Sequence, residues 1–123
     1  MRVDTPRKQA VVDVTDELEV PAGRGVLHVF VQHTTCALII NEFEKNLQQD
    51  FLEAYTNLLP AKKWLHDSLD GNAQAHLLAA LLGPSVSVPY AGGALLLGRW
   101  QRVLLVEFDG PRTRKIKYVP VSS

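Results

Sequence analysis

The order of the hydrophobic patterns is what most restricts this chain. Short β-rich runs come first, two helical runs follow, and β-rich runs return before the C-terminus. Strands alternating with helices would build a parallel sheet. Strands grouped on either side of a helical pair build an α+β domain instead. Residues 9–14, 26–31 and 36–40 are the early strand candidates, with 21–25 (Pro-Ala-Gly-Arg-Gly) as a loop between the first two. In 26–31, Leu27, Val29 and Val31 share one face, which marks that face for the core.

Asn41 and Glu44 have the spacing of a capping box and predict a helix start at Asn41. Leu47, Phe51, Tyr55 and Leu58 then recur at helical intervals, Phe43 extends the stripe, and Pro60 ends it. Residues 61–69 are less regular and predict a loop or short helix. Asp70-Gly71-Asn72 starts a second helix over 73–82, apolar on nearly every side except at Gln74 and His76. Such a helix is expected to be buried over most of its surface, and Gly83-Pro84 stops it. Residues 85–90, 94–97, 100–108 and 112–121 are strand-like. The turn Asp109-Gly110-Pro111 predicts that the last two pair as an antiparallel hairpin or meander.

Composition narrows the function classes. A chain of 123 residues suits one domain, taken here as 1–123. Thirteen basic residues balance thirteen acidic ones, so the basic surplus of a general nucleic-acid binder is missing and self-association is favoured. The single cysteine, Cys36, cannot form an internal disulfide and fits a reducing compartment. No apolar run follows the basic N-terminal residues, and none reaches membrane-span length. A cytoplasmic protein with no membrane or nucleic-acid partner is the expectation. Phosphate-loop, dinucleotide-binding, nucleophile-elbow and zincin motifs are all absent.

The chemistry-bearing residues are spread along the chain. Among four histidines, His33 ends a strand run, His66 sits between the helices and His76 lies inside the apolar helix. Imidazoles from separate elements could converge on a metal, yet each one alone reads equally as a satisfied buried polar group. His28 alternates with Phe30 on the outward parity and reads as structural or surface. Asn41 and Glu42, at the expected helix start, read either as plain capping or as an anion site with a metal ligand or base. Asp70, Asn72 and His76 gather around one turn, as turn plus cap or as a site for a hydrated cation or hydroxylated substrate. Six of the 13 basic residues lie between Arg99 and Lys117. Arg112 and Arg114 share a strand parity, so they could serve one anion or protect an edge strand with charge.

The ordered set His33-Thr34-Thr35, Asn41-Glu42, Asp50, His66, Asp70-Gly71-Asn72-Ala73, His76, Gly98-Arg99-Trp100-Gln101 and Asp109-Gly110-Pro111-Arg112 resembles the YjbQ family. Several motifs in the right order, from about residue 9 to residue 121, make the likeness specific. Cys36 departs from the family's usual small residue, and Arg99 stands where Thr or a small polar residue is common.

The resemblance implies an α+β fold of two packed, mainly antiparallel sheets, sandwich-like, with two main helices, assembled as a homotrimer. It implies a divalent metal held by His33, His66 and His76. Zinc suits three imidazoles best, and magnesium would suit a diphosphate substrate. Asn41, Glu42, Asp70, Asn72 and Arg112 fall on the other polar motif positions. On this basis Glu42 or Asp70 is the expected catalytic base. Asn41, Asn72, Arg112 and Arg114 are the expected contacts to a small phosphorylated or otherwise anionic metabolite. The family is also described as having a secondary thiamine-phosphate synthase activity, which would make the chain a metal-assisted transferase. A non-catalytic trimeric metabolite-binding or scaffolding protein is the competing expectation.

Overall fold

The period-two pattern at Leu27, Val29 and Val31 becomes the centre of the molecule. In a computed structural model describing residues 1–123, these three side chains are almost wholly buried within strand β3 (Arg24–Val31). The chain runs through β1 (Arg2–Asp4), β2 (Ala10–Asp13), β3, β4 (Cys36–Asn41), α1 (Lys45–Asn57) and α2 (Ala73–Leu82). It then continues through β5 (Ser85–Ala91), β6 (Ala94–Leu95), β7 (Arg102–Glu107) and β8 (Thr113–Ser122). Short 3-10 turns occupy Thr15–Glu17 and Leu65–Ser68.

The strands form two antiparallel sheets, with orders β1-β8-β3-β5-β6 and β2-β7-β4. Leu27, Val29 and Ile116 of the larger sheet meet Leu38, Val103 and Leu105 of the smaller one in the main core. The opposite face of the smaller sheet, at Ala37 and Val106, is covered by the helices through Ala75, Leu78, Leu52 and Tyr55. β7 is therefore buried on both faces, which explains its unbroken run Val103–Val106 where alternation would otherwise be expected. Each fully buried aliphatic side chain here contributes about 1.5–3 kcal/mol by leaving water.

Several expectations are corrected. Residues flanking Asp109-Gly110-Pro111 do not pair as a hairpin, because β7 lies in the smaller sheet and β8 in the larger. The turn is a corner that carries the chain from one layer to the other. β1 pairs with β8 at Thr113–Lys115, so Arg114 lies in a paired stretch and does not guard a free edge. Asn41 ends β4 rather than starting a helix, and the cap is Glu44, whose carboxylate accepts from the Asn46 and Leu47 amides. No side chain of α1 is fully buried: Leu52 and Tyr55, with Leu59 just beyond the helix, are partly buried against the core, while Leu58 is exposed. The bounds of α2 match the expectation, but Leu77 and Leu81 are exposed and only Ala73, Ala75, Leu78 and Ala79 are buried.

Candidate functional site

Where β3 ends, a side chain takes over from the backbone ladder. The Gln32 amide still donates to the Lys115 carbonyl of β8 at 3.1 Å. The next bond is different: the Lys115 amide donates to Nε2 of His33 at 2.7 Å. The imidazole thus replaces a carbonyl as the partner of a strand amide that would otherwise lack one.

Beneath it lies a buried polar network at the β7–β8 corner. Glu107 and Arg114 are both almost completely buried and paired, with Arg114 Nε donating to Glu107 Oε1 at 2.7 Å. Glu107 also accepts from the Thr5 hydroxyl at 2.8 Å and from the Asp109 amide at 3.0 Å. Arg114 donates to the Thr35 hydroxyl at 2.8 Å. Every charged group in the network has partners, as burial demands. Gly110 sits over it with no room for a side chain: a Cβ there would lie 2.3 Å from the Arg7 carbonyl and 2.9 Å from Glu107 Cγ.

The corner aims two residues at the surface. Asp109 accepts from Asn72 Nδ2 at 2.8 Å and from Arg112 at 3.0 Å, while Arg112 Nε donates to the Asp109 carbonyl at 2.7 Å. Burial raises the Asp109 pKa, but the bonds from Asn72 and Arg112 outweigh it and leave the carboxyl below its ordinary value. Asn72 precedes α2 without capping it through its side chain. Asp67 does so instead, accepting from the Ala73 amide at 3.0 Å and the Trp64 amide at 2.8 Å, and these bonds hold its carboxyl below the usual range. Asn72 is thereby free to tie α2 to the corner.

His66 and His76 meet edge to face with ring centroids 4.8 Å apart. His66 Nε2 lies 3.6 Å from an Asp70 carboxylate oxygen. Two buried atoms in this group, His66 Nε2 and Asn72 Oδ1, have no hydrogen-bond partner.

Together these residues wall a hollow of about 350 Å³ lined by His33, Thr34, Asp70, Asn72, His76 and Asp109, with Arg112 and the buried Arg114 beside them and no apolar residue. A second hollow of about 340 Å³ shares His33, Thr34 and His76 and adds Cys36, Ala79, Ala80 and Pro84. Burial pushes the Cys36 thiol up to about 11, so it is a packing group rather than a nucleophile. His28 is exposed and bonded to Ser87 through Nδ1 at 2.7 Å, consistent with a surface role.

The expected site residues are thus divided. His33, Asp70, Asn72, His76 and Arg112 come together around one hollow, with His66 behind His76. Glu42 lines a separate hollow with Glu44, Arg99 and Trp100, and the Asn41 side chain accepts from the Glu42 amide. Arg114 also borders this hollow, but it differs from Arg112: Arg112 precedes β8 and is half in solvent, whereas Arg114 is buried and paired with Glu107. No three His, Cys, Asp or Glu side chains stand close enough in this structure to hold a metal between them. Glu107 and Thr5 are not marked by any sequence motif, and Thr35 enters only as part of His33-Thr34-Thr35. The only signal was a lone carboxylate closing an apolar run seven residues before an arginine.

A family model described as UPF0047 protein YjbQ-like matches residues 1–122. A UPF0047 protein of Archaeoglobus fulgidus is 48% identical over 94% of both chains. YugU of Bacillus subtilis, another UPF0047 protein, is 31% identical over 93% of this chain and 91% of its own. The crystal structure of a YbjQ-like protein of unknown function from Sulfolobus solfataricus superposes with a TM-score of 0.92 at 36% identity, covering 100% of this chain and 94% of that one. A hypothetical protein from Aeropyrum pernix gives a TM-score of 0.90 at 39% identity, covering 100% of this chain and 96% of its own.

Proposed function

The chain belongs to the UPF0047 YjbQ-like family, and from that premise we propose that it is a small-molecule enzyme acting on a small phosphorylated or otherwise anionic metabolite. The observation that carries this reading is the hollow with an entirely polar wall and a half-exposed guanidinium, Arg112, on its rim. A planar guanidinium offers paired donors to phosphate or carboxylate oxygens. Asn72 and His76 would orient the ligand. Asp70, an exposed carboxylate within reach of His66, would serve as the base. Glu42 has no part in this reading within one chain, since its hollow shares no residue with the first.

Calorimetric titration with inorganic phosphate and pyrophosphate, followed by turnover assays on a panel of phosphorylated metabolites, tests the proposal. Thiamine-phosphate synthase-like transfer, scored by pyrophosphate release, belongs in that panel. Binding without turnover anywhere in the panel would assign the chain to non-catalytic metabolite binding. Absence of any anion binding, or binding unchanged by Arg112→Ala, would sink both.

A second reading adds a divalent cation, zinc for preference. It is favoured by the two buried atoms without partners, His66 Nε2 and Asn72 Oδ1, beside His76. His66, His76 and the Asn72 amide oxygen would hold the ion, which would neutralise charge on a bound oxyanion. Metal analysis of protein purified without a histidine tag, with and without His76→Ala, tests it. A homotrimer is part of the same proposal. The exposed outer face of β3 and β8, with Val26, Phe30, Val119 and Val121, supports self-association, and light scattering after size exclusion reads it.

A further inference from the structure

Resting on the reading of the hollow as a ligand site, we infer that His33 gives a hydrogen bond from Nδ1–H to the bound anion and is not a ligand of any cation.

The Lys115 amide fixes the tautomer of His33. A backbone N–H can only donate, and at 2.7 Å from His33 Nε2 it needs a lone pair there. A neutral imidazole carries one proton, so that proton is on Nδ1. A metal also needs a lone pair. The one on Nε2 is taken, and Nδ1 has none. Ligation through Nε2 would leave the Lys115 amide without a partner at the point where the β3–β8 ladder ends. An imidazolium would set an N–H against the Lys115 N–H, so the charged form is disfavoured as well. Burial, followed by the charge of Arg114 with smaller parts from Lys115 and Arg112, acts in the same direction, and only Glu107 opposes it.

Nδ1 itself meets no protein acceptor, and the ring lines the polar hollow with Arg112. An oxygen bound there would receive one charged donor and one neutral donor of fixed orientation. The fit is to an acceptor-only oxyanion such as phosphate. A group that must donate at that point would find no acceptor on His33.

The test uses the full chain labelled with ¹⁵N. Long-range proton–nitrogen correlation of the imidazoles should give His33 as the Nδ1–H tautomer, with Nε2 unprotonated and its signals unmoved by zinc. An Nε2–H tautomer, or a zinc-induced shift at His33 as large as that at His76, would overturn the inference. Titration with inorganic phosphate supplies a second measurement. His33→Asn keeps an N–H donor close to the Nδ1 position, and His33→Ala does not. The expected loss of affinity is about tenfold or more for the alanine variant, and threefold or less for asparagine. Equal losses in the two variants would also overturn it. Failure of the wild-type chain to bind phosphate would remove the ligand and with it the donor's role. The tautomer, measured on the free protein, separates that failure from an error about His33 itself.

Discussion

Arg114 and Glu107 stand seven residues apart in the chain and form an ion pair across the corner between β7 and β8, with side-chain exposures of 3% and 0%. The pair therefore joins one sheet to the other at the only place where the chain passes directly from β7 to β8. Removing one partner leaves the other charge buried alone. Glu107→Ala and Arg114→Ala are each expected to cost about 3–5 kcal/mol of stability, measured by urea unfolding. Replacing both, as Glu107→Leu with Arg114→Met, is expected to cost much less than the sum of the single changes. Additive losses would show that the two residues are not coupled.

Arg112 lies at the same corner but half in solvent, and its partner Asp109 also holds Asn72. An exposed pair contributes at most about 1 kcal/mol. Arg112→Ala is expected to leave the unfolding midpoint nearly unchanged while weakening phosphate binding by about tenfold or more. A large loss of stability with unchanged binding would reverse its assignment.

Stability should fall in acid in two steps. His33 and Asp109 both have folded pKa values below their ordinary ones. For a group of this kind the folded state binds fewer protons than the unfolded state, so stability is complete above the unfolded pKa and declines as pH falls through the folded one. The His33 contribution is lost below about pH 6.5 and that of Asp109 below about pH 4. His33→Asn should flatten the first step and Asp109→Asn part of the second, with Asp13 and Asp67 sharing the remainder. Unfolding midpoints measured across pH 3–8 read both, and a first step unchanged in the asparagine variant would remove His33 from the account.

The features legible in the sequence were those with a local cause. Leu27, Val29 and Val31 announce a buried strand face because strand side chains alternate. Gly83-Pro84 closes α2 because a helix end favours glycine with positive φ and a proline cannot continue the helix. What failed was non-local. Asp109-Gly110-Pro111 signals a turn, but nothing in it says which sheet the next strand will join. The spacing of Asn41 and Glu44 suits a capping box, yet β4 pairs with β7 as far as Asn41 and moves the helix start to Glu44. β1 has one apolar residue, Val3, and is a strand because β8 offers it an edge. The site divides the same way. His33, Asp70, Asn72, His76 and Arg112 were found by residue type and motif order, whereas Glu107 is defined only by what folding brings against it.

The faces of α2 give a direct check on the packing. Leu78 is fully buried against Phe108 and Val106, and Leu81 is 60% exposed. Leu78→Ala is expected to cost about 2–5 kcal/mol, and Leu81→Ala under about 0.5 kcal/mol. Thermal or urea unfolding distinguishes them, and similar losses would mean that the helix sits rotated from the orientation described.

Cys36 offers a chemical check. Its thiol is buried, and its pKa is pushed up to about 11. Alkylation by iodoacetamide at neutral pH should be slow in the folded chain and become fast once urea unfolds it. Rapid labelling of the native protein would contradict both the burial and the raised pKa.

Because the crossing at Gly110 tolerates no side chain and rests directly on Glu107, the walls of the hollow and the interior are shaped by one short run of backbone. Selection on what the protein recognises therefore has little freedom at residues 107–114. Relatives with new ligand preferences should carry their changes on the opposite rim, at the turn before α2, where alterations leave the folding of the sheets untouched.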